Sequence, residues 1–268
     1  MTEYSTLTVA LSGGGVAGLG HIPVLGALDE LNIKPAAISG SSMGALIAAS
    51  YAAGMSAAEI EQHVLEIARS PMAYTRRYIA SGWHGLLTGA IHPEHVLDAI
   101  APDILPETIA DLNIPTTIVA TDFHRREPVL FRNENLRKSL AASIAIPGVF
   151  KPVSWDGRIL VDGGVCNNLP IDVLPASDYT LAVDVASEPA TDERSMPGTV
   201  AAVTSSVRIM LQTLAQLLIQ QRDNVIFIQP DSRAVSPLDL GKLEEAIELA
   251  RPQKALVKRR LEEAFNRR

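Results

Sequence analysis

Short, continuous apolar runs alternate with helical patterns along this chain, and this alternation limits the possible folds more than any other feature. The runs are rich in β-branched residues, as expected for strands that are covered on both faces. They lie at 7–12, 36–39, 116–122, 159–164, 180–185 and 224–230. Helical patterns lie at 19–31, 43–53, 56–69, 93–100, 133–145, 200–222 and from 238 to the end. The sequence therefore predicts a three-layer α/β/α sandwich with a mainly parallel sheet.

The length of 268 residues suits a single domain over residues 1–268, with core motifs at 7–175 and a C-terminal helical elaboration at 200–268. The hydrophobic share of 47% and the charged share of 20% exclude a disordered chain. A net charge of -7 argues against binding to nucleic acid, which needs clustered Lys and Arg. The single cysteine fits a reducing compartment, and no signal-peptide pattern is visible, so we expect a cytoplasmic protein.

The segment VAAVTSSVRIMLQTLAQLLI at 200–219 is the strongest membrane-like candidate. Arg208, Gln212 and Gln216 recur at helical spacing within it, which favours an amphipathic helix over a membrane-spanning one. We expect this helix to pack on the core, and the alternative is contact with a membrane surface. The irregular segment at 70–91 predicts either a mobile cover for a cleft or a surface connection, and 186–198 predicts an exposed loop.

A glycine-rich loop follows the first predicted strand and opens the first helix. Gly13, Gly15 and Gly18 have the spacing G-x-G-x-x-G, which alone indicates a site for phosphate or another anion. A dinucleotide site also needs an acidic residue at the end of the second strand, and that strand ends in Ser39 and Gly40. A phosphate loop needs a following Lys and Ser or Thr, which this loop lacks. The loop amides suit another negative charge, such as the oxyanion of an acyl-transfer intermediate.

The motif G-x-S-x-G occurs in GSSMG, where Gly40, Ser42 and Gly44 occupy its three defined positions. On a sharp strand-to-helix turn, the central residue is exposed at the strand tip and the small flanking residues allow close packing. This pattern makes Ser42 a candidate nucleophile, Ser41 its structural neighbour, and the amide of Met43 a further oxyanion donor. The alternative is a serine-rich turn that caps a helix, and the glycine loop one strand earlier favours the nucleophile.

A serine nucleophile needs a base, but the late histidine of an α/β-hydrolase triad is missing, because all six histidines precede residue 125. The candidate base is Asp162, which ends a predicted strand and precedes two glycines in ILVDGG. Strand tips share one edge of a parallel sheet, so this carboxylate could reach Ser42. The alternative is an ordinary turn aspartate, which is common before glycine. His92 and His95 are too isolated to indicate a metal site.

The sets GGGVAG, GSSMG and DGG resemble, in their order and context, the patatin-like phospholipases and particularly their bacterial members. Similar segments at 108–122 and 142–153, an acidic strand end at Asp184 and a closing helix extend the resemblance over nearly the whole chain. The resemblance implies a patatin-like fold and a serine-dependent lipid acyl hydrolase, of the phospholipase or esterase type. It further implies a Ser-Asp dyad and an acyl-enzyme intermediate, with no part for histidine, metal or another cofactor.

Carried over residue by residue, the resemblance implies that Ser42 is the nucleophile and Asp162 the base. The implied oxyanion donors are the amides of Gly13, Gly14, Gly15 and Met43, and the motif glycines are Gly18, Gly40, Gly44, Gly163 and Gly164. The site should be enclosed, because burial would raise the pKa of Asp162 above its usual value of about 4 and make it a stronger base.

The chain departs from the family at Ala17, where Arg or Lys usually precedes the last glycine of the first motif. A cation that would order the loop or attract anionic head groups is therefore missing. Three alternatives remain: a catalytically weak regulatory or adaptor protein of the same fold, a lipid acyltransferase, and a nucleotide-binding module, which would need the missing carboxylate or lysine. The expected partner is a lipid or acyl-ester substrate, with transient contact at the inner membrane face and no nucleic acid.

Overall fold

A computed structural model of the chain describes residues 6–69, 91–186, 196, 198–232, 234–236 and 238–266. The cover or connection predicted at 70–91 and the loop predicted at 186–198 lie almost entirely outside the described residues.

Eight strands and eight α-helices are present in the described part of the chain. The strands are β1 (Leu7–Leu11), β2 (Ala37–Ser41), β3 (Thr116–Asp122), β4 (Glu127–Phe131), β5 (Val153–Trp155), β6 (Arg158–Asp162), β7 (Tyr179–Val183) and β8 (Val225–Ile228). The α-helices are α1 (His21–Glu30), α2 (Met43–Ala52), α3 (Ala57–Arg69), α4 (Pro93–Ile100), α5 (Leu136–Ser143), α6 (Thr199–Gln220), α7 (Leu243–Ala250) and α8 (Gln253–Phe265). Short 3-10 helices lie at Gly15–Gly20, Ile109–Asp111, Gly163–Val165 and Leu240–Lys242.

Local sequence signals account for most of these elements. The six predicted strands are present, and Ser56 and Glu59 form a capping box at the start of α3, in which each accepts a hydrogen bond from the backbone amide of the other. The strands β4 and β5 escaped prediction because they are short, antiparallel and partly exposed, and so lack a continuous apolar run. The predicted last helix is two helices, which meet at Arg251 and Pro252.

All eight strands belong to one sheet, in the order β5-β6-β3-β2-β1-β7-β8 with β4 also paired to β3. The strands β3, β2, β1, β7 and β8 run parallel to one another. The strands β4, β5 and β6 form an antiparallel extension next to β3. The predicted fold class is therefore confirmed, but the assumption that the strand ending at Asp162 is parallel to its neighbour was wrong.

The two faces of the sheet carry different residues, since successive side chains of a strand point to opposite sides. Large residues such as Val9 and Leu181 face a layer that contains α1, α2, α3, α7 and α8. Small residues such as Ala10 and Ala182 face the segment 169–174 and the C-terminal half of α6. The alanines allow this segment to lie close to the sheet, which makes the third layer thin.

The helix α6 packs only in part as expected. Of its side chains that the structure describes, Ala215 alone is buried. The prediction that the helix packs on the core therefore holds only for its C-terminal half, where Leu218 and Ile219 also lie against the buried cluster. In the described part of the chain, α6 is also the one helix that is long and apolar enough, by length and composition, to cross a membrane.

Candidate active site

Two strands end against each other along one edge of β3. β2 runs parallel to the first half of β3, and its last residue, Ser41, lies opposite Val119. β6 runs antiparallel to the second half, and its last residue, Asp162, lies opposite Ala120. Because Val119 and Ala120 are neighbours, the carboxyl ends of β2 and β6 meet head to head. This register brings together Asp162 and Ser42, which are 120 positions apart in sequence.

Ser42 lies on the sharp turn between β2 and α2. Its backbone has φ 52 and ψ -125, a conformation that is strained for a residue with a side chain and is typical of a nucleophile turn. The flanking glycines permit the close packing of this turn. A Cβ on Gly40 would lie 2.5 Å from the carbonyl oxygen of Gly44, and a Cβ on Gly44 would lie 2.5 Å from that of Leu11.

Ser143, the last residue of α5, holds the backbone of this turn. Its hydroxyl oxygen accepts a hydrogen bond from the amide of Ser42 at 2.9 Å, and the hydroxyl donates to the carbonyl oxygen of Val119 at 2.6 Å. Sequence reasoning assigned Ser143 no role beyond the similarity of the segment 142–153. The available signal was a serine within an apolar helix end, four residues before Pro147.

The Ser42 hydroxyl donates a hydrogen bond to Oδ2 of Asp162 at 2.6 Å. The other carboxylate oxygen, Oδ1, accepts from the amide of Gly164 at 2.7 Å, which holds the orientation of the carboxylate. Burial raises the pKa of Asp162 to about 6, although the hydrogen bonds from Ser42 and Gly164 oppose this rise. The rise agrees with the enclosed site expected from the sequence. The carboxylate is thus a stronger base than an exposed aspartate and is still largely ionised at neutral pH.

Ser41 occupies a different environment from its neighbour. Its side chain is completely buried, and its hydroxyl has no hydrogen-bond partner among the residues that the structure describes. A Cβ added to Gly163 would lie 2.5 Å from the Ser41 Oγ, so these two residues are in close contact. Ser41 therefore packs against the turn that follows Asp162, while Ser42 contacts the carboxylate itself.

The glycine loop lies directly against the Ser42 turn. A Cβ on Gly13 would lie 3.0 Å from the Cβ of Ser42, and a Cβ on Gly18 would lie 2.5 Å from the Cγ of Met43. Gly15 has a φ of 55, which favours glycine at this position.

Three of the four expected oxyanion donors keep a free amide. The amides of Gly14, Gly15 and Met43 donate no hydrogen bond to any residue in the described ranges. The amide of Gly13, in contrast, donates to the carbonyl oxygen of Asn168 at 3.1 Å, so the expectation that it serves as an oxyanion donor is corrected. Asn168 also faces the turn after Asp162, since a Cβ on Gly164 would lie 2.9 Å from its Oδ1. Asn168 therefore links the glycine loop to the carboxylate turn.

A buried histidine hydrogen-bonds to the backbone of Ser12, the residue before the glycine loop. Nε2 of His21 lies 2.8 Å from the carbonyl oxygen of Ser12, and because a carbonyl oxygen can only accept, Nε2 carries the proton. Burial lowers the pKa of His21 to about 4, against the opposing effect of the hydrogen bond to Ser12, so the ring is neutral at pH 7. No histidine in the described ranges hydrogen-bonds to Ser42 or Asp162.

The side chain of Ser12, just before the glycine loop, hydrogen-bonds to the Asp184 carboxylate and to the backbone after β7. Ser12 accepts a hydrogen bond on its side chain from the amide of Val185 at 3.0 Å, and Ala17, within the loop itself, is buried. Asp184, the acidic strand end, is also buried, and burial raises its pKa. Among the described residues, no group of three or more His, Cys, Asp or Glu side chains could hold a metal ion.

Known proteins resemble this chain in sequence and in fold. Residues 9–175 match the family model described as Patatin-like phospholipase. The chain is 36% identical over 183 residues to an uncharacterized NTE family protein of Mycobacterium tuberculosis, a match that covers 67% of this chain and 49% of that protein. It is 30% identical over 194 residues to patatin-like phospholipase domain-containing protein 6 of Homo sapiens, which covers 70% of this chain and 14% of that protein. The chain thus spans about half the length of the first relative, and a smaller share of the second.

The fold also resembles a solved structure. The crystal structure of VipD from Legionella pneumophila aligns with a TM-score of 0.53 at 14% identity, and the alignment covers 96% of this chain and 67% of that one. At this identity the likeness concerns the arrangement of the sheet and its flanking helices.

Proposed function

Because the chain belongs to the patatin-like phospholipase family, we propose that it is a serine-dependent lipid acyl hydrolase that works through a Ser42–Asp162 dyad. Family membership supports lipid hydrolysis in general, and the dyad is the more specific part of the proposal. The observation that carries it is the 2.6 Å hydrogen bond from the Ser42 hydroxyl to Asp162, in a buried site at the end of two strands.

In the first step, ionised Asp162 accepts the Ser42 proton while Oγ attacks the acyl carbonyl of the lipid. The carbonyl oxygen becomes an oxyanion, to which the free amides of Gly14, Gly15 and Met43 donate hydrogen bonds. Met43 is the first residue of α2, so the positive end of the helix dipole adds to this stabilisation. Each preorganised donor lowers the barrier by about 3 to 4 kcal/mol.

In the second step, protonated Asp162 gives its proton to the leaving alcohol, and an acyl-enzyme remains on Ser42. Water then attacks this ester with Asp162 again as the base, which releases the fatty acid and regenerates the serine. Since only the ionised carboxylate is a base, and its pKa is about 6, activity should rise as the pH passes through this value. Activity should then persist into the alkaline range, because no other titrating base takes part.

The contact between Ser42 and Asp162 bears on the first two alternatives, a regulatory protein and an acyltransferase. A regulatory or adaptor protein of the same fold would not need the serine and the carboxylate in contact, so the intact hydrogen bond between them favours an active enzyme. An acyltransferase would use the same acyl-enzyme and differ only in the acceptor. The hydrogen bonds of Ser12 and Gly13 hold the amides of the loop in place without a cation.

We also propose that residues 7–175 and 200–268 form one domain, because β8 extends the same sheet and α8 packs on α1. The single cysteine supports the cytoplasm as the compartment in which the protein works.

The test combines labelling with a fluorophosphonate, which reacts with activated serines, and hydrolysis of a short-chain nitrophenyl ester. Ser42→Ala should abolish labelling, and Asp162→Asn should lower kcat by about a thousandfold or more, as expected for loss of a general base. Ser41→Ala is the matched control and should retain both activities, because its hydroxyl does not contact the carboxylate. Robust labelling of the Ser42→Ala protein, or full activity of Asp162→Asn, would show that the dyad is wrongly assigned.

The substrate is identified by a screen of lipid classes with the purified protein, in which Ser42→Ala measures the background. Free fatty acid as the product indicates hydrolysis. Transfer of the acyl group to an added alcohol, in preference to water, would instead assign the chain as an acyltransferase.

A further inference from the structure

The helix α6 turns two polar side chains, Arg208 and Gln212, toward the protein, while several of its apolar side chains are exposed. Gln212 donates a side-chain hydrogen bond to the carbonyl oxygen of Ala186, and Arg208 is partly buried. Six apolar residues of α6 are between 45% and 61% exposed, and all of them except Ile209 lie on one face of the helix. The residues on this face, here called the outer stripe, are Val203, Val207, Met210, Leu214 and Leu217. A helix at the surface of a water-soluble domain normally has the opposite orientation.

The spacing of the outer stripe places all of its residues on one face. Steps of four, three, four and three residues keep the side chains within a sector of about 80°, since each residue turns an α-helix by about 100°. Ala215, the buried residue of α6, lies outside this sector. Single exposed apolar residues are ordinary on a protein surface, whereas a contiguous apolar stripe along a helix marks an interaction surface.

The position of α6 relates the outer stripe to the candidate active site. The helix connects β7 to β8, which run parallel, so it runs antiparallel to the strands and begins near their carboxyl ends. Gln212 contacts Ala186, which lies just beyond the end of β7 and marks the level of this edge. The part of α6 before Gln212 therefore extends about 20 Å past the edge at which Ser42 lies.

The charge of this region suits a lipid surface. In its 22 residues, α6 has one arginine and no Asp, Glu or Lys, although the whole chain has a net charge of -7. Anionic head groups repel carboxylates, so a helix without them can approach a bilayer. Phe123 follows β3 and Val165 follows Asp162, and both are exposed apolar side chains at the same edge of the sheet. The bilayer interface accepts such apolar side chains.

We propose that the outer stripe docks the protein on the surface of a phospholipid bilayer, with the sheet edge that carries Ser42 next to the lipid. The helix lies on the bilayer and does not cross it, because its two ends lead to neighbouring strands of one sheet. A second copy of the chain is a less suitable occupant, since α6 lacks the acidic residues that pair with cations across helical dimers. The choice of a phospholipid partner rests on the proposed function, but docking itself does not require the dyad.

The experiment measures sedimentation of the full chain with vesicles of phosphatidylcholine, alone or mixed with phosphatidylglycerol. The Ser42→Ala background prevents hydrolysis of the vesicles during the measurement. The double variant Val207→Asp and Met210→Asp should lower the partition coefficient by about tenfold or more, because two apolar contacts are replaced by charges. Ile104→Asp is the matched control, since Ile104 is 55% exposed and lies outside α6, and it should bind as the background protein does.

Activity provides a second measurement in the background with Ser42 intact. The double variant should lower hydrolysis of vesicle lipid more than hydrolysis of a soluble ester, and circular dichroism verifies its fold. Vesicle binding that depends on the stripe, in a protein that cleaves no ester, would retain the docking proposal and refute the proposed function. Active protein that binds neither type of vesicle, or a double variant that binds as well as the background, would refute docking. A lipid-free dimer that Met210→Asp dissociates would identify a second copy as the occupant and would also refute it.

Discussion

Replacement of Asp162 by asparagine should inactivate the protein and at the same time stabilise it. The two side chains have nearly the same shape, so the hydrogen bonds of the site can be retained. The asparagine oxygen can accept from the amide of Gly164, and its NH2 group can donate to the Ser42 hydroxyl, in place of the bonds seen with the carboxylate. The substitution therefore removes a buried charge without leaving a buried polar group unpaired.

The expected gain follows from the pKa of Asp162, which burial raises from an ordinary value of 3.8 to about 6. The difference of about 2 pH units corresponds to about 3 kcal/mol. The native state holds this proton more tightly than the unfolded state, so the free energy of unfolding falls as the pH rises from about 4 to about 6. The full loss of unfolding free energy is present above the native-state pKa of about 6, and it is absent below the ordinary value of 3.8 that applies to the unfolded state. The asparagine variant lacks this loss, so its advantage should be up to about 3 kcal/mol larger at about pH 8 than at about pH 4.

Chemical denaturation of both proteins across this pH range measures the difference. Asp103→Asn is the control, since it removes one exposed carboxylate and leaves the site unchanged. A difference in unfolding free energy that stays constant with pH, or an asparagine variant that is less stable at alkaline pH, would refute the assignment of a buried carboxylate with a raised pKa. The proposed base would then have to be found elsewhere.

Three further substitutions test the support of the site. His21→Gln keeps a donor for the carbonyl oxygen of Ser12. Because the His21 pKa of about 4 lies below its ordinary value, the native protein should lose about 3 kcal/mol of unfolding free energy as the pH falls from about 6.5 to about 4, and the variant should not. Denaturation at several pH values measures this, and an unchanged loss of stability in acid would contradict it. Ser143→Ala leaves the buried amide of Ser42 without an acceptor and should lower the unfolding free energy by about 1 to 3 kcal/mol. It should also lower kcat by a larger factor than it changes KM, and a variant with full kcat would exclude a positioning role. Gly44→Ala places a Cβ 2.5 Å from a backbone oxygen and should lower the unfolding free energy by about 3 kcal/mol or more in thermal denaturation, and a variant as stable as the native protein would show that the turn can relax.

Features that depend on neighbouring residues could be predicted from the sequence. The five parallel strands appear as continuous apolar runs, because both of their faces are covered. The turn at Ser42 could be recognised because its two glycines lie within two residues of the serine, and close packing at both positions excludes a side chain. Burial of Asp162 could be anticipated because a carboxylate at the end of an apolar strand is shielded from water.

Features that depend on distant residues required the tertiary structure. The direction of β6 was not encoded in its own residues, since they would be buried in either direction. It depends on the second half of β3, which β2 leaves unpaired and to which β6 pairs in the antiparallel direction. The amide of Gly13 is occupied by Asn168, which is 155 positions away in sequence. The orientation of α6 also had no local signal, because an apolar stripe shows that a helix has two unlike faces and does not show which one meets the protein. The sequence by itself thus determined the parallel strands and the turn and indicated the two residues of the proposed dyad, whereas the long-range pairing of β2, β3 and β6 decided how the two residues meet.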